Sequence, residues 1–125
     1  MMQTKTVHFE RNGFVADVVV QEATTLAGMR RSRLGAQANR ELKEEQVRDG
    51  VSVQDEDMWI LRLVTYPDLI APLVSIHIND KPDVPAFEEF IEFPEEFTLA
   101  WESAVYMLNP HWIRRRGEDE SEKKE

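Results

Sequence analysis

The sequence predicts an α+β fold, mostly α-helical: an N-terminal β-hairpin, about four to five helices, and a disordered charged C-terminal tail. Three observations carry that expectation. Residues 5–22 form two β-prone runs around Asn12-Gly13. The stretch from Thr24 to about Arg48 has no proline and repeats its apolar residues at helical spacing. Phe97, Trp101, Ala104 and Leu108 follow the i, i+4, i+7, i+11 stripe of a helix that faces a core. A single globular domain over residues 1–113 is expected, with the hairpin at 5–22, helices across 24–112 and the tail at 114–125.

Each element has its own signal. Thr6-Val7-His8-Phe9 alternates, Phe14 to Val20 is rich in β-branched residues, and Asn12-Gly13 tolerates the positive φ of a tight hairpin turn. Thr24 or Thr25 can cap the first amides of the long helix, and Asp49-Gly50 supplies a stop. The apolar stripe of this helix is thin (Leu26, Ala27, Leu34, Ala38, Leu42), so it is expected to lie on the surface or to project, with a bend near Gly35. Ser52-Val53-Gln54-Asp55 has capping-box spacing, with Asp where Glu or Gln is usual. Met58 to Tyr66 is apolar almost all round, Arg62 excepted, and is expected in the core as a helix or a buried strand.

Pro67 ends that segment and can open a short helical turn through Leu69-Ile70. Ser75 to Ile78 is short and β-prone, and Asn79-Asp80-Lys81-Pro82 breaks the chain. Pro85 suits a first helical turn, with Phe87, Phe90 and Ile91 on one face and Glu88, Glu89 and Glu92 opposite. Pro94 resets the chain into a helix that Asn109-Pro110 closes, after which His111-Trp112 can fold back on the core. Beyond Ile113 nothing remains to bury.

Composition narrows the chemistry. The 125 residues include no cysteine, which removes disulfides, thiolate nucleophiles, CxxC redox chemistry and Cys-based zinc sites. The net charge of −9 disfavours nonspecific binding to nucleic acid or anionic membrane. No apolar run approaches the roughly 20 residues of a membrane span, and Met1 to Lys5 lead into no signal-peptide core, so a cytoplasmic protein is expected. His8, His77 and His111 stand at no metal-ligand spacing, and no phosphate-binding loop or nucleophile elbow occurs. Glu88, Glu89, Glu92, Glu95 and Glu96 could supply a carboxylate pair, but an outer helix face keeps them solvated. Arg114-Arg115-Arg116 is followed at once by acids, with no aromatic between. No catalytic, cofactor-binding or metal residue is assigned, and no cofactor, small-molecule substrate or nucleic-acid partner is expected.

Location says more than total charge. The tail holds five bases and five acids, so the rest carries the whole −9. Asp83 to Glu102 contains seven acids and no base, whereas residues 30–48 contain Arg30, Arg31, Arg33, Arg40, Lys43 and Arg48. Opposed patches of this kind can meet within one molecule, join copies, or bind different partners; they can also be ordinary solvated faces. On the last helix Leu99 and Tyr106 share a face rimmed by Glu95 and Glu102, a candidate docking spot for an apolar-plus-basic helix. Scattered surface apolar residues would read the same way. The second candidate partner surface is the basic helix, through Arg30, Arg31, Arg33 and Arg40.

A set of residues from the hairpin to Trp112 also resembles a family. They are Thr25 to Arg31 (Thr-Leu-x-Gly-Met-Arg-Arg), Trp59, Phe87 to Phe90, Pro94 to Glu96, Trp101, Ala104 to Tyr106, and Leu108 to Trp112. Together they look like the small tail assembly chaperones of long-tailed bacteriophages. The likeness spans most of residues 5–112 and is sharpest over Phe87 to Trp112, largely at core and helix-stop positions. It implies a non-enzymatic helper in the host bacterial cytoplasm, absent from the finished particle. Such proteins coat the helical tape-measure protein and help tail-tube subunits polymerise around it. They are often made in two forms, the longer by a ribosomal frameshift, and Lys123-Lys124 permits the A-rich codons that a slip needs. Two other classes stay open: an acidic inhibitory module imitating nucleic acid, and a structural tail or head-completion protein.

Overall fold

The computed structural model describes residues 2–49 and 56–113. The expected stop at Gly50, the capping box at 52–55 and the charged tail at 114–125 lie outside the described residues.

Two strands open the chain, β1 (Thr4–Arg11) and β2 (Phe14–Gln21), paired antiparallel from Thr4 opposite Gln21 to Arg11 opposite Phe14. Asn12 and Gly13 make the turn with φ of 51° and 86°, the left-handed pair that matches strand twist. The expected hairpin is one strand short. β3 (Leu73–Ile78) pairs antiparallel with β2, giving a three-stranded sheet in the order β1-β2-β3. The β-prone Ser75 to Ile78 is thus a sheet edge. Asn79 anchors its end: its N–H donates to the Val15 carbonyl (2.7 Å) and its Oδ1 accepts from the Val15 N–H (2.9 Å).

The long helix α1 (Thr25–Asp49) runs 25 residues, about 37 Å at ~1.5 Å per residue. Thr24 is its cap, the hydroxyl accepting from the Ala27 N–H at 3.1 Å. The helix is continuous through Gly35. That glycine allows a close approach, because a Cβ there would sit 3.4 Å from the Leu63 carbonyl oxygen.

Pro67 does not end the second helical stretch. α2 (Glu56–Ile60) passes into a π-helical segment, Leu61–Thr65, and then into α3 (Tyr66–Ile70). A proline has no N–H for the carbonyl four residues back and its ring crowds that carbonyl. Widening the preceding turn is one way through, and the Tyr66 N–H accordingly reaches the Leu61 oxygen five residues back. Only the later part of this stretch enters the core. Thr65 and Pro67 to Ala71 are buried, but Met58 and Trp59 are exposed at 37% and 40%, contrary to the expectation that the whole run is interior.

α4 (Phe87–Phe90) is a single turn, and α5 (Glu95–Leu108) lies across the inner face of β1 and β2. Ala16, Val18 and Val20 of β2 face Phe97, Trp101, Ala104 and Val105 of α5 in one core with Leu69, Ile76, Ile78, Phe90 and Trp112. The expected α5 stripe is therefore buried, with Leu108 partly so. Phe9, Phe14, Phe93, Phe97, Trp101, Phe90 and Tyr66 continue it as an aromatic chain with ring centroids 5.5–6.0 Å apart. Ile91, grouped with Phe87 and Phe90 by spacing, is exposed beyond the end of α4.

Candidate protein-docking surface

Asp68 organises one side of the molecule. It follows Pro67 in an otherwise apolar run and its side chain is 1% exposed. A buried carboxylate needs charge and hydrogen bonds around it. Arg31 Nε donates to Oδ1 at 2.5 Å, and the Tyr106 hydroxyl donates to Oδ2 at 2.6 Å. The Arg31 guanidinium also lies over the Trp112 ring, 4.5 Å from its centroid. Asn109 holds the strand end beside this cluster: its Oδ1 accepts from the Ala23 N–H at 2.7 Å, and its Nδ2 donates to the Val105 and Gln21 carbonyls. One acid thereby ties α1, α3, α5 and the turn at Pro110–Trp112 together.

The cluster perturbs its neighbours. Burial, then the hydrogen bond to Asp68 and its charge, push the Tyr106 hydroxyl far above the usual tyrosine value. Burial, with Asp68 adding to it, raises the Glu102 carboxyl above its ordinary value.

Beside this cluster a groove of about 310 Å³ runs between α1 and the π-helical segment, lined by Arg31, Ser32, Gly35 and Ala36 on one side and Leu63, Val64, Pro67 and Asp68 on the other. Ser32, Gly35 and Ala36 make one wall small, Leu63 and Val64 of the π segment make the other apolar, and the Arg31–Asp68 pair bridges α1 to α3. The crest of α1 above it carries Arg33, Arg40 and Lys43, all exposed and in no ion pair among the described residues. Leu26 and Met29 at one end of this crest and Val47 at the other are exposed at 58%, 54% and 87%. An amphipathic helix with acids flanking its apolar stripe is the shape and charge that such a surface fits.

The structure brings some of the expected partner-binding residues together and separates the rest. Arg31, Tyr106 and Glu102, taken from two different candidate surfaces, converge on Asp68. Arg30 reaches the Ala71 carbonyl at 3.3 Å, Arg33 and Arg40 stay on the crest, and Leu99 and Glu95 face solvent on α5. Leu99 and Tyr106 do not form an outward pair, because the Tyr106 hydroxyl is turned inward. Asp68 and the groove are absent from the sequence-based set. The available signal for Asp68 was a lone acid inside the apolar run from Tyr66 to Val74.

Among the described residues no group of three His, Asp or Glu side chains is placed to hold a metal ion, and no helix is long and apolar enough to cross a membrane. No family model, no curated protein and no solved structure matches the chain.

Proposed function

We propose that this chain is a non-enzymatic assembly chaperone that masks an amphipathic helix of a long coiled-coil partner, the role that tail assembly chaperones play toward a tape-measure protein and, through it, toward tail-tube subunits. The observation that carries this reading is the unpaired basic crest of α1 beside the apolar-floored groove under Gly35. A helix seated there would set its apolar stripe against Leu63 and Val64, which are partly exposed, and its flanking acids against Arg33 and Arg40. A chaperone leaves its client, so mass spectrometry of purified particles is expected to find the client and not this chain. Finding it there at constant copy number favours a structural tail or head-completion role. The exposed acids Glu88, Glu89, Glu92 and Glu95 keep the nucleic-acid-mimic reading as the second one. Salt-sensitive displacement of DNA from a DNA-binding enzyme would favour it.

A further inference from the structure

A second groove, of about 230 Å³, lies on the opposite flank of α1. Leu34 and Ala38 of α1, Tyr66 and Phe87 give it an apolar floor, with Gln37 and Glu41 on the α1 side and Glu88 on the other. Two of its charges, Glu41 and Arg62, are already matched. Arg62 binds Glu45 at 2.9 Å, lies within 3.9 Å of Glu41, and sits over the Phe87 ring at 5.7 Å, which fastens α1 to α4. The Tyr66 hydroxyl donates to the Pro85 carbonyl at 2.6 Å.

The banks above that floor are unmatched and opposite in sign. On the α1 side stand Arg33 and Arg40, one helical step from Gln37. On the α4 side stand Glu88, Glu89 and Glu92, exposed and in no ion pair among the described residues. Glu88 lines the groove itself; Glu89, the next residue of α4, lines a neighbouring cleft with Pro85 and Phe93 and, like Glu88, adds to burial in raising the Tyr66 hydroxyl pKa. A foreign helix of either charge would match one bank and be repelled by the other. A two-fold rotation about an axis running along the groove sets each bank against its opposite in a second molecule.

We propose that this face is an isologous homodimer interface, in which Arg33 and Arg40 of each copy meet Glu88 and Glu89 of the other across the Leu34–Phe87 floor. Because the pairs are exposed, the association is salt-sensitive. Arg33 and Arg40 are then shared, so self-association and client binding compete for the crest of α1, while the acid bank belongs to self-association alone. Glu88→Lys/Glu89→Lys therefore separates this interface from client binding.

Sedimentation equilibrium of the full chain tests the interface, at about 0.05 M and about 0.5 M salt, ionic strengths that bracket strong and weak screening. The wild type is expected to dimerise at low salt and to lose at least tenfold in association at high salt. Arg33→Glu/Arg40→Glu and Glu88→Lys/Glu89→Lys should each lose tenfold or more at low salt. An equimolar mixture of the two variants should dimerise to within about threefold of wild type, and so should the fourfold charge-swapped chain, because both restore every opposite-sign pair. That rescue cannot come from a variant that has merely lost its fold. A wild type that stays monomeric, a dimer indifferent to both substitutions, or a swap that restores nothing overturns the proposal.

Discussion

Tyr106→Phe isolates a bond of the Asp68 cluster, which organises the candidate docking side of the molecule. The substitution keeps the ring and removes one O–H donor from a carboxylate that is 1% exposed. A hydrogen bond to a charged group contributes about 1.5–3 kcal/mol. Removing a partner of a buried ion pair outright costs about 3–5 kcal/mol. That upper figure is not reached, since Arg31 still holds the other oxygen at 2.5 Å. The loss should be about 2 kcal/mol, which for a urea m-value of about 1–3 kcal/mol/M moves the midpoint by roughly 1 M. Urea unfolding followed by circular dichroism and by tryptophan fluorescence reads it directly. Asp68→Asn should cost at least as much, and the double variant less than the sum, because the two changes delete the same bond. A Tyr106→Phe unfolding free energy within about 0.5 kcal/mol of wild type refutes the reasoning, being the size of an ordinary surface change. The tyrosine would then be available for the outward role that spacing alone assigns it.

Gly28→Ala should stabilise the chain by about 0.5–1 kcal/mol, because the position is helical and an added Cβ meets nothing within 4 Å. A thermal midpoint that fails to rise contradicts the helix geometry there. Glu102 has its folded-state pKa raised above the ordinary 4.5, so its contribution to stability is present below that pH and lost as pH climbs through the raised value. Unfolding measured from acid toward neutral pH should show Glu102→Gln gaining on wild type above about 4.5 and then holding level; a gap that narrows contradicts the burial. His8 Nδ1 lies 2.6 Å from Asp17 Oδ1, and the hydrogen bond and charge of Asp17 raise its pKa above 6.5. Its imidazole should titrate by NMR above that value and fall back toward it in Asp17→Asn.

The sequence was most legible where signals are local. Asn12-Gly13 specifies its turn through backbone sterics alone, and the α5 stripe needs only the 3.6-residue period. β3 carried its strand propensity openly, but its pairing with β2 joins residues some sixty positions apart, and propensity does not name a partner. The π segment answers the demands of Pro67 and the approach of Gly35 together, a tertiary bargain with no signature in either stretch. Met58 and Trp59 are exposed because only the last turns of that stretch enter the core. Of the candidate site, the bases on α1 were visible as a run of charge. Helical spacing placed Tyr106 outward because it cannot register Asp68 on α3, or the turn at Pro110–Trp112 that carries Trp112 against Arg31.

The proposed client masking is tested most directly by co-expressing this chain with a long coiled-coil tape-measure protein and weighing the soluble fraction of that product. Wild type should raise it several-fold, and Arg33→Glu/Arg40→Glu should return it to the level seen without the chain. A product that is equally soluble, or equally insoluble, with and without this chain contradicts the chaperone role.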